Sequence, residues 1–535
     1  MIRAADHLAT LLAGQGATRV FGVPGESFLP VLDALRDGPV RFVTCRQEGG
    51  AAMAADAHAR LTGRPGICMV TRGPGATNAA AGIHVAAQDS TPLIVFVGQV
   101  ARGMRGREAF QELDYPAVFG SICKWAAEID DASRMQEMVC RAYRVALSGR
   151  PGPVVLALPE DMLYEEVSPP PAPAFIEPPR YAPTPEALEA FRERLAAAKR
   201  PLVIAGGGGW TARGRAALAR FASSQDLPVA VSFRSQGLMD NAHPSYVGHL
   251  AVAPTPYLRD AIAEADLLIA LGARLGEITT QGYAHPAPPV PAAPLVHVFP
   301  EPEEMGRAYE PAIALASDTQ SFCEAVAGWD RLGDPETRAD LRAAYEDHAS
   351  PASVPDDPLA PIFAQLAKAL PESTVLCNGA GNYAAWLQRF HRYREGTQLA
   401  PTSGSMGYGL PAAIAAALEG RPAVAVAGDG CFMMTCQEMA TAVQEGLSLT
   451  VIVVDNGRLG TIRAHQEREH PGRVASTELR SPDFAALARS MGAHGETATD
   501  AASFRDALGA CLKARGVGLV HLAQDRDWIA PGRRL

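Results

Sequence analysis

The clearest chemical signal lies at two strand ends in the last third of the chain. The run PAVAVAGDGCF sets Gly428-Asp429-Gly430 directly after an apolar strand and before a helical stretch, Cys431 to Glu445. Ligands collect at such places, because strand ends and helix N-termini present free backbone groups there. Taken alone, the triplet is most often a turn. The next apolar strand, TVIVVDNGRLG, ends in Asp455-Asn456, with Asn456 27 residues after Asp429. One strand–helix–strand passage spans that distance and would set two hard oxygen donors side by side. A carboxylate, an amide oxygen and a main-chain carbonyl suit Mg²⁺, which prefers octahedral oxygen ligation and readily shares diphosphate oxygens.

Other strand ends open into glycine-rich or polar turns. Asn378 to Tyr383 (NGAGNY) and Gly404 to Ala412 (GSMGYGLPA) lie upstream of the GDG triplet. Near the N-terminus, Phe21 to Glu26 (FGVPGE), Thr44 to Ala52 (TCRQEGGAA) and Gly73 to Asn78 (GPGATN) do the same, and Leu202 to Ala205 runs into Gly206 to Gly209. Each has a plain reading as turn or helix-start chemistry: Glu48 is a first-turn carboxylate favoured by the helix dipole, and Met406 a core methionine. The four glycines lack the full GxGxxG spacing and its acidic companion.

The elements that must hold these turns follow from hydrophobic patterning. Short, uniformly apolar runs such as Phe42–Cys45, Ile67–Thr71, Leu93–Val97, Leu202–Ala205, Leu267–Leu271, Ala423–Ala427 and Thr450–Val454 alternate with helical patterns, as expected of parallel strands covered on both faces. Ser168 to Pro185 (SPPPAPAFIEPPRYAPTP) is too proline-rich for a helix or ladder, and His348 to Pro361 is a second break. The expected architecture is α/β: three doubly wound domains with mostly parallel sheets, at residues 1–168, 186–347 and 360–535.

Composition narrows the function. The 535 residues are 47% hydrophobic and 20% charged, close to the globular average. With 48 Lys+Arg against 58 Asp+Glu, a net charge of −10 and no basic block, nucleic acid is a poor partner. Nine scattered cysteines without CxxC spacing fit a reducing cytoplasm and read as small buried fillers. Asp6 and His7 interrupt any apolar leader, and no apolar run approaches about 20 residues, so neither export nor membrane insertion is expected.

With both motifs in view, the chain resembles the thiamine diphosphate (ThDP) dependent enzymes, whose fingerprint is GDG followed after about 25 to 30 residues by an Asn pair. The resemblance implies Mg²⁺ ligation by Asp429, Asn456 and the main-chain carbonyl of Arg458. Asp455 stands where the first Asn would be. It further implies cofactor contacts from Gly404 and Met406, which props the bent cofactor, from Asn382 and Tyr383 near the diphosphate, and from Gly428, Gly430 and Cys431. In the first domain Thr44 to Ala52 is similar to the family's glutamate motif, with Glu48 the catalytic group that shares a proton with the cofactor's N1′. Gly25, Pro74 and Asn78 fall in its other cofactor-binding loops. Phe110 and Gln111 (AFQE) match a substrate-side segment, with Thr461, Ile462 and His465 at the pocket rim. His465 reads equally well as a surface histidine.

The overall texture is similar to acetolactate (acetohydroxyacid) synthase large subunits. That similarity implies decarboxylation of a 2-keto acid and addition of the resulting enamine to a second carbonyl compound. It also implies a homodimer or homotetramer in which Glu48 and the diphosphate site come from different subunits, and a separate regulatory small subunit. Some such relatives bind FAD across the middle domain and others leave it empty; ADP or a coenzyme A moiety suits the same crevice. Three departures stand out: Gln47 for the His of RHE, Glu160 for the Lys of PKD, and His465 for a large aromatic. A charge reversal at 160 bears on acceptor choice. The alternatives are a ThDP-dependent decarboxylase or C–C lyase, an FAD-linked pyruvate oxidase-like enzyme, and a non-catalytic ThDP-binding paralogue.

Overall fold

A computed structural model describes residues 1–252 and 255–535. Three six-stranded sheets, parallel throughout, succeed one another along the chain. The first contains Arg19–Gly22, Arg41–Thr44, Gly66–Val70, Leu93–Gln99, Trp125–Glu128 and Pro153–Pro159, lying side by side in the order second, first, third, fourth, sixth, fifth. The third sheet, from Val375–Asn378 to Val517–Ala523, repeats that order. The middle sheet, from Pro201–Ala205 to Ile313–Ala316, runs third, second, first, fourth, fifth, sixth, the order of dinucleotide-binding sheets.

The central strands form where the apolar runs lie. Leu93–Gln99 and Pro153–Pro159 are buried at all seven positions, and each fully covered Val, Leu or Ile is worth about 2 kcal/mol relative to exposure. Helix Glu48–Thr62 packs on helices Gly73–Asp89 and Gly409–Leu418, and small residues make that approach close. A Cβ at Gly82 would lie 2.4 Å from the Ala52 Cβ. One apolar cluster therefore runs from the first domain into the third, taking in Ala52, Ala55, Ala412 and Ala416.

The proline-rich stretch has no helix or strand between 168 and 184. It is fastened by side chains instead: Gln15 Oε1 accepts the Ile176 N–H at 2.9 Å and Asp318 Oδ2 accepts the Tyr181 N–H at 2.8 Å. The single helix expected from Cys431 to Glu445 is two, Asp429–Met433 and Glu438–Gln444. The Thr435 hydroxyl donates to the Gly407 carbonyl at 2.6 Å, drawing the chain out of helical path and towards the Gly404 loop. Among the described residues no helix is long and apolar enough to cross a membrane, and all nine cysteines are free.

Candidate active site

In an open parallel sheet, ligands bind where the strand order reverses, beyond the carboxyl ends of the strands. In the third sheet that point lies between Val375–Asn378 and Ala423–Gly428, and the turns leaving them are Gly379–Asn382 and the GDG triplet. A cleft of about 620 Å³ opens there, lined by Asn382, Tyr383, Gly404, Met406, Gly428, Asp429, Gly430, Cys431, Asn456, Arg458, Thr461 and Ile462. The amides of Asn382 and Asn456 converge beside Gly460, where a Cβ would stand 3.4 Å from Asn382 Nδ2 and 3.0 Å from Asn456 Nδ2. Thr461 Oγ1 donates to Asn382 Oδ1 at 2.6 Å, fixing which way that amide faces. Cys431 Sγ accepts the Gly407 N–H at 3.2 Å and lies 3.5 Å from the Tyr383 hydroxyl, so it ties the Gly404 loop to the GDG turn.

Asp429 is buried, and burial pushes its carboxyl up to about 6, with the neighbouring Asp455 charge adding to the rise. Burial also works upward on Asp455, yet hydrogen bonds from His521, Ser481 and the Gly457 N–H outweigh it and hold this carboxyl below the usual range. Asn456 Oδ1 accepts the Arg458 N–H at 3.2 Å, and the Arg458 carbonyl accepts the Gly460 N–H at 2.9 Å, leaving each oxygen a second lone pair. This donor set is hard and incomplete by itself. Among the described residues no group of three or more His, Cys, Asp or Glu is placed to hold a metal, so a cation here would complete its shell with oxygens from water or a ligand. Ser403 also lines the cleft, and its buried hydroxyl finds no partner among the described residues. The residues fit a Mg²⁺–diphosphate pair.

The first sheet has an equivalent reversal, between Arg19–Gly22 and Gly66–Val70. Gln47 caps the next helix by accepting the Gly50 N–H at 2.9 Å, and this places Glu48 in the first turn, buried. Asn78 Nδ2 donates to Glu48 Oε2 at 3.0 Å, while Oε1 faces Gly75, where a Cβ would lie 3.2 Å away. Gly25 closes the group against Thr71. The Gln111 carbonyl stands over Gly73, with Gln111 itself at φ +66°, and Phe110 is 73% exposed.

Within one chain, Glu48, Gly25, Pro74, Asn78, Phe110 and Gln111 do not line the cleft that holds Asp429 and Asn456. The fold sets two candidate groups of residues at equivalent places of two similar sheets. His465 lies on the polar helix Gly460–Glu469 with its side chain 49% exposed and its Nδ1 at 2.7 Å from Arg468 Nη2, away from the cleft lining. Glu160 faces Arg72 at 3.6 Å, and Arg72, nearly buried, also reaches Glu26 at 2.6 Å. The reversed charge at 160 thus meets a local cation.

A second cavity, of about 1090 Å³, sits at the reversal of the middle sheet, between Gly207–Thr211 and Arg274 on one side and Gln88–Thr91 of the first domain on the other. Arg234, buried and at φ +60°, lines both cavities together with Thr402 and Ser403. No motif spacing points to Arg234; its only trace in the sequence is a charged residue just beyond a fully apolar strand.

Residues 2–118, 188–326 and 379–522 match the family descriptions "Thiamine pyrophosphate enzyme, N-terminal TPP binding domain", "central domain" and "C-terminal TPP binding domain" respectively. Similar proteins include the acetolactate synthase isozyme 2 large subunit of Escherichia coli, 33% identical over 97% of this chain and 95% of that protein. Another is the acetolactate synthase large subunit of Parasynechococcus marenigrum, 33% identical over 96% of this chain and 86% of that protein. The acetolactate synthase of Arthrospira platensis is 30% identical over 99% and 96%.

Proposed function

The chain belongs to the thiamine pyrophosphate (thiamine diphosphate) enzyme family, as an enzyme of the acetolactate synthase type, and from that premise we propose that it decarboxylates a 2-keto acid and joins the carbon fragment left by the loss of CO₂ to a second carbonyl compound. Pyruvate in both roles, giving acetolactate, is the leading pair. The observation that carries this reading is the cleft itself, which brings Asp429, Asn456 and Arg458 together with Gly404 and Met406.

When bound, thiamine diphosphate supplies a nucleophilic thiazolium carbon and a sink for the electron pair released with CO₂. Asp429, Asn456 and the Arg458 carbonyl would hold Mg²⁺ against the diphosphate, with Asn382, Tyr383, Gly428, Gly430 and Cys431 shaping the seat. Glu48, oriented by Asn78, would exchange a proton with N1′ of the aminopyrimidine, and Pro74 and Gly25 would let that ring approach. Phe110, Gln111, Thr461, Ile462 and His465 would bound the substrate side. Since Glu48 stands apart from the cleft in its own chain, a complete site needs a second copy, as a homodimer or a homotetramer built from such dimers. The relatives' designation as large subunits supports a separate regulatory small subunit. The 1090 Å³ cavity, at the reversal of a sheet with dinucleotide-type order, suits FAD.

Product NMR on purified protein with thiamine diphosphate, Mg²⁺ and pyruvate, with and without FAD, tests the reading. Acetolactate is the expected product. Acetaldehyde alone would replace the ligation step with simple protonation, and untouched pyruvate would remove pyruvate as donor.

A further inference from the structure

The position where the family pattern has an amide carries a carboxylate, Asp455, and its surroundings account for both of its oxygens. Oδ1 accepts the Gly457 N–H at 2.9 Å and the Ser481 hydroxyl at 2.8 Å. Oδ2 lies 2.9 Å from His521 Nε2. His521 comes from the neighbouring strand Val517–Ala523, and its ring stands edge-on to Phe484, with centroids 5.1 Å apart. His521 Nδ1 is buried without a partner among the described residues, so a proton there would have nothing to bond. The tautomer with its proton on Nε2, donating to Asp455, is the one these surroundings favour. Asp455 is thus held by three donors, none of them a guanidinium or ammonium.

With both oxygens engaged, Asp455 is poorly placed to ligate a cation itself. Its link to the cradle runs through Ser481, whose Oγ also lies 3.3 Å from Asp429 Oδ2. One hydroxyl hydrogen cannot serve both carboxylates. The shorter contact to Asp455 takes it and leaves the Ser481 oxygen lone pairs towards Asp429, so Asp429 loses a competing donor. Two carboxylates then lie close together around the Ser481 hydroxyl, a concentration of charge that a divalent cation held by Asp429 would relieve.

We propose that Asp455 is a positioning residue for the cation cradle. Fixed by His521, Gly457 and Ser481, it places a second negative charge behind Asp429 and turns the Ser481 hydroxyl away from it, so the cradle binds its divalent cation more tightly than an amide at the same position would allow. The inference rests on the reading of Asp429, Asn456 and Arg458 as cation ligands. Asp455→Asn removes the charge while its amide oxygen can still accept from Gly457 and Ser481, and it also loses the His521 bond because its amide nitrogen cannot accept; His521→Asn loses the same bond while leaving the charge, so the difference between the two variants reads the charge.

The test is Mn²⁺ binding by electron paramagnetic resonance on the full-length protein with thiamine diphosphate, alongside thermal unfolding of each cofactor-free variant. Asp455→Asn should weaken Mn²⁺ binding about tenfold, the low end of what groups orienting metal ligands are worth, with His521→Asn weakening it less. A Mn²⁺ affinity for Asp455→Asn within twofold of the parent overturns the proposal, whatever happens to unfolding. Asp429→Asn separates the two readings: if it binds Mn²⁺ as the parent does, the cation site itself has been misassigned, whereas loss of binding there with none in Asp455→Asn refutes only the role of Asp455.

Discussion

Asp56 is a carboxylate that motif reading passes over, because it lies inside the alanine-rich helix Glu48–Thr62 with no signature around it. It is fully buried; Tyr408 donates to its Oδ2 at 2.7 Å and its Oδ1 has no partner among the described residues. Burial first, and the nearby Asp89 charge second, push it up to about 7. Arg60 balances the group, reaching Asp89 at 3.1 Å and the Ala400 carbonyl at 3.0 Å, while Thr402 N–H donates to Asp89 at 2.7 Å. These bonds anchor the loop that leads into Gly404 and Met406. Because the folded protein keeps a proton on Asp56 that the unfolded chain releases near its ordinary value, Asp56 costs no stability at low pH and destabilises the fold progressively as pH rises from about 4 through about 7. Asp56→Asn mimics the protonated form, so its stability should decline less between pH 5 and pH 8, by on the order of a few kcal/mol at the upper end, with a smaller fall in unfolding temperature. Parallel pH profiles for the two proteins in calorimetry would refute this.

At the scale of elements, the break between helices Asp429–Met433 and Glu438–Gln444 has a consequence for the first domain. It lets the buried Glu438 carboxylate accept the Arg46 N–H at 3.1 Å and the Gln47 N–H at 3.0 Å, while Thr441 donates to it at 2.7 Å. Those two backbone donors immediately precede Glu48. Hydrogen bonds to a charged acceptor are worth about 1.5–3 kcal/mol, so Glu438→Ala should loosen the seam between the domains by that order. With Glu48 less firmly set, kcat should fall while the affinity for thiamine diphosphate changes little, and Glu438→Gln, which keeps an acceptor oxygen, should recover part of it. Steady-state kinetics with cofactor titration measures the split. The strands that flank this seam were legible as apolar runs; the helix break was not, because residues 431–445 carry an unbroken helical pattern and only the distant Gly407 carbonyl interrupts it.

At the scale of the molecule, the first and third sheets share one strand order and each presents half of the candidate site at its own reversal point. A single chain keeps Glu48 out of the cleft of Asp429. If two chains complete each other's sites, Glu48→Gln and Asp429→Asn proteins should each be nearly inactive alone. Co-folded at equal amounts, random pairing restores one good site in half of the dimers, hence about a quarter of the parent activity per chain. No recovery on mixing, with dimers formed, would place both halves of the site within one chain.

The sequence by itself determined the local chemistry: which turns follow apolar strands, that Asp429 and Asn456 stand at the ends of successive strands, and that a glutamate follows one apolar run and a GPGATN turn the next. These are short-range matters of periodicity and turn preference, carried by neighbouring residues. Tertiary structure decided what sits behind those residues. His521 meets Asp455 across 66 positions of chain, Tyr408 meets Asp56 across 352 and Glu438 meets Gln47 across 391. Such pairings follow from strand order and domain packing, and partners so far apart leave no spacing to read. The physical reason is that burial, which sets both the charge state of Asp56 and the pull of Asp455 on the cradle, is a property of the folded interior and not of any stretch of sequence.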